Sequence, residues 1–277
     1  MKLVTFQRPG SPAEPGYIND SQVVGLSAAF PDVIAILAGG PAALAQAAAI
    51  AAPAYDLASV KLLAPVPRPP KIVCVGLNYR DHAIETNMKI PDTPTIFCKF
   101  PTAVIAPGDD IVLPKISEKP DYEAEFAFVV GKGGRNIAKE NWKDHVAGYM
   151  NLNDVSARDI QLATTQWVMG KTFDTFCPMG PYLVTADEIA DPHALNIQLD
   201  IGGEVLQNSN TRELIFKIPE LIAHLSSVFT LEPGDVVSTG TPSGVGMARG
   251  RWLKPGDKVT VTVEGLGSLT NSCIAEA

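Results

Sequence analysis

The chain has 277 residues, 46% of them apolar and 19% charged, which is typical of a globular protein with one large domain or a small and a larger one. The formal charge is -8 and no segment is rich in Lys or Arg, which argues against a nucleic-acid partner. An anionic substrate would need local positive charge to bind against this global field.

The beginning of the chain predicts a small N-terminal α/β domain of residues 1–68, followed by a larger unit of residues 69–277. Residues 2–7 and 22–26 have the pattern of short strands. The Ala-rich residues 32–54 are interrupted by glycine and proline, so they predict two short surface helices rather than a membrane span. Four prolines within residues 64–70 predict a linker, since proline cannot continue a helix or a central strand.

The four cysteines, Cys74, Cys98, Cys177 and Cys273, are far apart and lack the spacing of a zinc site. We predict buried free thiols in a reducing compartment. The first ten residues lack the apolar core of a signal peptide, so we expect a cytoplasmic protein without a membrane partner.

The larger unit is rich in strand signals. Residues 72–76, 95–100 and a hairpin over 197–206 predict strands, and a Pro-Gly-Asp turn followed by β-branched residues recurs at Pro107, Pro233 and Pro255. Helical segments are fewer: residues 79–87, 142–145, 157–164 and 216–226. The pattern predicts an α+β, mainly β fold, a roll or barrel of mixed strands without a regular βαβ rhythm.

Two glutamates interrupt the otherwise apolar segment of residues 122–130. In a strand, Glu123 and Glu125 would share one face, while Phe126 and Phe128 would lie on the other. Two neighbouring carboxylates repel unless a cation or a proton lies between them. The pair therefore indicates either a solvated outer face, the more ordinary case, or one wall of a metal site.

Asp154 is a third acidic candidate, at the end of an apolar segment and just before a predicted helix. Alone, it is best interpreted as a helix N-cap. Together with Glu123 and Glu125 it would complete three oxygen donors, a set that hard divalent cations such as Mg²⁺ prefer.

Three further features could carry chemistry. His82 and Glu85 are spaced i and i+3, so a helical turn would let the carboxylate orient the imidazole as a general base, although a solvated surface pair is the commoner case. Lys171 could stabilise a substrate carboxylate or an enolate, or be an ordinary surface lysine. The small-residue loop 238–246 could bind an anion through backbone N–H groups but lacks the lysine of a phosphate-binding P-loop.

The order and spacing of five segments resemble the fumarylacetoacetate hydrolase family, especially its smaller members. The segments are residues 75–85 (VGLNYRDHAIE), 121–125 (DYEAE), 153–161 (NDVSARDIQ), 170–174 (GKTFD) and 239–246 (TGTPSGVG). The resemblance covers roughly residues 70–275 and implies a mixed β-sandwich roll that forms a homodimer. Residues 1–68 resemble the small N-terminal domain of some members.

The resemblance also implies roles for individual residues. Those that would bind Mg²⁺ or Mn²⁺, with Ca²⁺ as another option, are Glu123, Glu125 and Asp154. Those in catalysis are His82 as the water-activating base, Glu85 that orients it, and the active-site lysine Lys171. Those near the substrate are Arg158, Gln161, Gly240 and Thr241.

The activity that we expect from the resemblance is divalent-metal-dependent hydrolysis of a C–C bond in acylpyruvate-type 2-oxo acids. His82 would deprotonate the attacking water, and the metal and Lys171 would stabilise the enolate of the leaving group. Residues 79–94 would form a lid that carries the base over the substrate. Val75, Gly76 and Leu77 stand where the mammalian fumarylacetoacetate-cleaving enzyme has a further aspartate ligand, which argues against that substrate.

Two alternatives remain at this point. The first comprises oxaloacetate decarboxylation and the isomerisation or decarboxylation of a dienoic dicarboxylate from aromatic degradation, which need the enolate but no attacking water. The second is a non-catalytic, metal-binding relative, against which the presence of His82, Glu85 and Lys171 argues.

Overall fold

Strands carry most of the regular structure in the computed structural model, which describes residues 1–277. The strands are β1 (Lys2–Gln7), β2 (Ala13–Asn19), β3 (Gln22–Gly25), β4 (Ala54–Asp56), β5 (Lys61–Leu63), β6 (Ile72–Gly76), β7 (Thr95–Lys99), β8 (Val104–Ile105), β9 (Ile111–Leu113), β10 (Pro120–Asp121), β11 (Ala124–Val130), β12 (Val146–Asn153), β13 (Ser156–Ala157), β14 (Cys177–Thr185), β15 (Asn196–Ile201), β16 (Glu204–Asn210), β17 (Val236–Ser238), β18 (Lys258–Val263) and β19 (Ser268–Ala275).

The helices are short and connect the strands. They are α1 (Val33–Ala38), α2 (Gly40–Ala49), α3 (Arg80–Glu85), α4 (Arg158–Gln161), α5 (Val168–Lys171), α6 (Ile218–Val228) and α7 (Gly246–Arg249), with 3₁₀ turns at Leu57–Ser59, Pro101–Ala103, Lys139–Asp144, Ala186–Glu188 and Thr211–Glu213. No helix combines the length and the apolar character that crossing a bilayer requires.

The strands form one large and one smaller sheet, with β10 and β13 as a separate pair. The large sheet runs in the order β4-β3-β2-β1-β14-β12-β11-β17-β6-β7, with β5 on β1 and β8 on β14. The smaller sheet has the order β16-β15-β18-β19-β9. In the large sheet, β11 therefore lies between β12 and β17, whereas β7 is an edge strand. The mixed, mainly β fold that the sequence predicts is confirmed.

Both faces of the large sheet are covered, so every residue of β11 is buried, and all of them except Glu125 are apolar. Phe126 and Phe128 pack in the core shared with the smaller sheet and α6, while Ala127 and Val129 face a second core that includes α1. Fully burying a side chain as large as Phe stabilises a fold by about 1.5–3 kcal/mol. The alternation predicted for this segment is therefore confirmed.

The N-terminal strands continue the large sheet. Lys2 of β1 lies opposite Val184 of β14, so backbone pairing crosses the predicted domain boundary between residues 68 and 69. The division into two domains itself stays a prediction. Strand β2 escaped the sequence prediction because Pro15 and Gly16 are typical of turns, yet pairing with β1 and β3 holds them in the sheet.

Other predicted elements differ in detail from the structure. The segment predicted as a helix at residues 142–145 is the end of a 3₁₀ turn, Lys139–Asp144. The prediction that all cysteines are buried is wrong for Cys98, which is exposed because β7 forms the edge of its sheet.

Candidate functional site

The two glutamates are buried, Glu123 just before β11 and Glu125 as its second residue. Glu123 is 5% exposed and Glu125 is 1% exposed, so the solvated-face interpretation is wrong. Periodicity shows which side chains share a face but not what covers that face, and here both faces of the sheet are covered. Two carboxylates in such surroundings require positive charge nearby.

Asp154 joins the pair because β11 and β12 are antiparallel neighbours. Ala124 lies opposite Asn153, and the N–H of Asp154 donates to the carbonyl oxygen of Glu123 over 3.0 Å. One carboxylate oxygen from each of the three acidic residues lies within 4.8 Å of the others. The helix-cap interpretation of Asp154 is wrong, since the N-cap residue of α4 is Ala157 and no side chain caps this helix.

Lys171 connects two of these acids. Its ammonium group donates to Oε2 of Glu123 over 2.6 Å and to Oδ2 of Asp154 over 2.7 Å. Burial lowers the pKa of Lys171, but the charges of Asp154 and Glu123 outweigh it and raise the pKa above the ordinary value. The preceding Gly170 allows α5 to approach α4, because a Cβ there would lie 2.4 Å from the backbone nitrogen of Gln161. Lys171 is thus not a surface lysine.

Lys99 is a second buried cation that the sequence interpretation missed. It ends β7 and donates to Oδ1 of Asp154 and to the carbonyl oxygen of Val155. A lysine within the apolar stretch of residues 95–100 was the available signal, because buried lysines are rare without a charged partner.

Arg158 forms a third positive group, held by Asp121, which was also missed. Its Nε donates to Oδ2 of Asp121 over 2.7 Å, and its Nη1 donates to Oε1 of Gln161 over 3.0 Å. Nη2 has no well-aligned acceptor but lies 2.7 Å from Oε1 of Glu123, a distance at which the opposite charges attract regardless of angle. Gln161 is therefore engaged by Arg158 within the site.

The two glutamates have different charge environments. Burial alone would raise the pKa of Glu123, but the nearby Lys171 and Arg158 lower it to about 2. For Glu125, burial and then the charges of Asp154 and Glu123 raise the pKa well above its ordinary value. Glu125 lacks an ion-pair partner and accepts hydrogen bonds only from Ser238 and from the N–H of Gly240.

These surroundings fit a divalent cation. The buried cluster contains four carboxylates, from Asp121, Glu123, Glu125 and Asp154, and three cationic side chains, from Lys99, Arg158 and Lys171. A cation at the three-acid group would neutralise the charge on Glu125 and leave the cluster positive overall. The cluster could therefore hold a metal ion and attract an anion despite the negative charge of the whole protein.

His82 and Glu85 lie on α3, above this cluster. Nδ1 of His82 is 3.4 Å from Oε2 of Glu85, and both carboxylate oxygens of Glu85 accept from the N–H of Gly244. Asp81 connects the beginning of α3 to β16, because it accepts a hydrogen bond from Ser209. The helix is thus fastened at both ends, and His82 is buried rather than solvated.

A cavity of about 140 Å³ brings these groups together. Its polar lining consists of His82, Glu123, Glu125, Arg158, Gln161, Lys171, Thr86 and Thr241, and its apolar lining includes Leu77, Met88, Phe97, Leu162, Trp167 and Met247. Asp154 lies beneath this lining. The hydroxyl oxygen of Thr241 accepts a hydrogen bond from Gln207, which leaves its O–H to donate, whereas the N–H of Gly240 is engaged by Glu125.

Comparison with known proteins agrees with this picture. The family model described as "Fumarylacetoacetate (FAA) hydrolase C-terminal" matches residues 71–274. A bovine (Bos taurus) relative named "Oxaloacetate tautomerase FAHD2A, mitochondrial" is 44% identical over 99% of this chain and 92% of its own length. Because that relative is named as mitochondrial, a cytoplasmic location for this chain stays a prediction.

Two solved structures share the fold over their full length. The crystal structure of a putative HpcE protein from Mycobacterium smegmatis has a TM-score of 0.92 and 36% identity, with both chains covered completely. The maleylpyruvate hydrolase from Sphingobium sp. SYK-6, in complex with manganese (II) ion and pyruvate, has a TM-score of 0.85 and 31% identity, again with complete coverage. The chain belongs to the fumarylacetoacetate hydrolase family.

Proposed function

We propose that the chain is a divalent-cation-dependent enzyme that interconverts the keto and enol forms of a small 2-oxo acid, with oxaloacetate as the substrate. The observation that carries this proposal is the cavity of about 140 Å³, which places the His82 imidazole, two cationic side chains and the buried glutamates around one small volume. The name of the bovine relative supports the choice of oxaloacetate.

The size of the cavity suits a four-carbon acid. A volume of about 140 Å³ is well below the roughly 300–1,000 Å³ of pockets for drug-sized ligands, and oxaloacetate is a much smaller molecule with four carbons. Its negative charge suits the site, because Lys171 and Arg158 line the cavity and a bound cation would make the buried cluster positive.

The residues that would hold the cation are Glu123, Glu125 and Asp154, whose carboxylate oxygens lie within 4.8 Å of one another. Mg²⁺ and Mn²⁺ suit such a set, with Ca²⁺ as another option. When bound, the cation would supply a Lewis acid that polarises the 2-oxo group.

His82 would transfer the proton that tautomerisation requires. With Nδ1–H directed to Glu85, Nε2 of the neutral imidazole would take a proton from the carbon next to the 2-oxo group. The proton would return to the oxygen, so the overall reaction moves one proton from carbon to oxygen. Lys171 and Arg158 would hold the negative charge of the oxygen in between.

Hydrolysis of acylpyruvates, the activity first expected from the sequence, is the second candidate. The same imidazole could instead activate a water that attacks the distal carbonyl. The similarity to a maleylpyruvate hydrolase over the whole chain favours this possibility. Oxaloacetate decarboxylation and dienoic dicarboxylate isomerisation would use the same polarised 2-oxo group.

The test compares the tautomerisation of oxaloacetate with the hydrolysis of acylpyruvates, both in the presence of Mg²⁺ or Mn²⁺. We expect the protein to accelerate the loss of enol absorbance of oxaloacetate, and His82→Ala to reduce this rate by a factor of about 10²–10⁴. His224→Ala, a half-buried histidine on α6, is the matched control and should keep the rate. Faster release of pyruvate from acylpyruvates than tautomerisation of oxaloacetate would favour the hydrolase, and full activity of His82→Ala would refute the proposed base.

Association into a homodimer also stays a proposal. Light scattering of the purified chain at several concentrations would measure its mass directly.

A further inference from the structure

A second, larger space lies next to the catalytic cavity. It is an outer groove of about 640 Å³ along the edge strand β7, and its lining includes Ile96, Phe97, Cys98, Phe100, Trp167 and Phe229. Nine of its 16 lining residues are hydrophobic, so the groove would accept an alkyl or aryl group rather than a charged one.

Two aromatic rings belong to both spaces. Phe97 and Trp167 line the catalytic cavity and the outer groove alike, and their rings meet edge to face with centroids 5.6 Å apart. On the inner side, the ammonium nitrogen of Lys171 lies 4.9 Å from the centroid of Phe97. The pair therefore stands between the charged site and the groove.

The position of Trp167 depends on Gly76 at the end of β6. A Cβ at Gly76 would lie 2.4 Å from Cζ3 of the indole, so any larger residue would displace the ring. The indole thus lies directly on the backbone of the strand that leads to α3. This contact keeps the ring at the wall of the cavity.

We propose that Trp167 determines substrate length by closing the catalytic cavity against the outer groove. The proposal rests on the proposed function in one respect, that the cavity binds a 2-oxo acid. The carboxylate and 2-oxo group would lie at the charged end, and the indole would block any chain longer than that of a four- or five-carbon acid. Without the indole, an apolar chain could pass into the groove.

The limit that Trp167 sets on substrate length can be tested without turnover, by measuring the affinity of the protein for straight-chain 2-oxo acids. Calorimetry with Mn²⁺ present would compare pyruvate, 2-oxobutanoate, 2-oxohexanoate and 2-oxooctanoate on the wild type, Trp167→Ala and Trp167→Leu. We expect wild-type affinity to fall beyond five carbons. In both variants, we expect the affinity for 2-oxooctanoate to rise about tenfold or more, while that for pyruvate changes less than about threefold.

Phe100→Ala is the matched control, because Phe100 lines the groove but not the catalytic cavity. It should leave the wild-type preference for short chains unchanged. Trp167→Leu keeps an apolar side chain against β6, so it tests the proposal even where the alanine variant folds poorly.

Cys98 provides a second readout, because it lines the groove and is the exposed cysteine, whereas Cys74, Cys177 and Cys273 are buried. Alkylation with N-ethylmaleimide should abolish the gained affinity of Trp167→Ala for 2-oxooctanoate and leave pyruvate binding intact. A Cys98→Ser, Trp167→Ala double variant should resist the reagent.

Equal wild-type affinity for short and long acids, or an unchanged length preference in both Trp167 variants, would overturn the proposal. Binding of pyruvate without any tautomerisation of oxaloacetate would refute the proposed function alone. Failure to bind any 2-oxo acid would refute both.

Discussion

The ammonium group of Lys99 donates a hydrogen bond to Oδ1 of Asp154, and neither side chain is exposed to solvent. Replacing Lys99 by Met would leave a buried carboxylate with less positive charge around it. We expect a loss of about 3–5 kcal/mol in the free energy of unfolding, measured by urea denaturation without metal. Saturating Mg²⁺ should restore part of this loss, because the cation would supply the missing charge.

The control for this variant is Lys89→Met, which removes a lysine that forms an ion pair with Asp92 in full contact with solvent. It should change the free energy of unfolding by less than about 0.5 kcal/mol. Equal effects of the two substitutions would contradict the importance of the buried pair.

Glu125 has no ion-pair partner in the buried cluster. Glu125→Gln should therefore impair metal binding without impairing folding. Glutamine is neutral at every pH, so it cannot be repelled by Asp154 and Glu123, and the metal-free variant should be at least as stable as the wild type. Calorimetry should show Mg²⁺ affinity reduced by about 100-fold or more, since even residues that only orient metal ligands cost 10–100-fold. A destabilised variant whose folded fraction keeps the wild-type metal affinity would return the glutamate to a structural role.

The raised pKa of Glu125 also predicts a pH dependence. In the metal-free protein, the folded state keeps a proton that the unfolded chain releases above pH 4.5, the ordinary pKa. The contribution of this group to stability is therefore complete below that pH and is lost as the pH rises toward the folded-state pKa. Urea denaturation would measure the free energy of unfolding of the wild type and of Glu125→Gln from roughly pH 4 to 8. As the pH rises, the wild type should lose stability relative to the variant. A difference in the free energy of unfolding that stays constant with pH would contradict the raised pKa of Glu125.

Metal binding should show the opposite trend with pH. A cation binds the deprotonated carboxylate, so binding releases a proton and becomes stronger as the pH rises. Calorimetric titrations in two buffers of different ionisation enthalpy would measure the number of protons released.

Asp121 holds Arg158 in place, and Asp121→Asn should weaken substrate binding. The carboxylate accepts from Nε of Arg158 over 2.7 Å and from the N–H groups of Gly246 and Met247 over 2.6 and 3.0 Å. An amide has one oxygen, so at least one buried donor would lose its acceptor, at a cost of about 1–3 kcal/mol in stability. We expect KM for oxaloacetate to rise more than kcat falls.

Asp159→Asn is the control for this prediction, since Asp159 lies on the same helix but accepts from Ser117 and Glu118 away from the cavity. Its KM should equal that of the wild type. A similar rise in KM in both variants would indicate that general loosening of α4, rather than the orientation of Arg158, is responsible.

The sequence predicted those parts of the fold and site that depend on local pattern. Alternation in residues 121–130 placed Glu123 and Glu125 on one face and Phe126 on the other, because a strand repeats every two residues. The i, i+3 spacing of His82 and Glu85 brought both onto one side of α3 in the same way. The resemblance of five segments to one family then predicted which of these residues meet, and the structure brings them together in one cavity.

Contacts between distant strands were decided only by the tertiary structure. Lys99 reaches Asp154 because β7 ends beside the site, and Asp121 reaches Arg158 because β10 pairs with β13. Neither contact leaves a periodic pattern in the sequence. Whether Glu125 faced solvent or a buried cluster was likewise undecidable from its own strand, since burial depends on the layers that cover the sheet. The sequence by itself determined which side chains share a face, whereas packing determined which charges those side chains meet and which residues, such as Trp167, line the cavity.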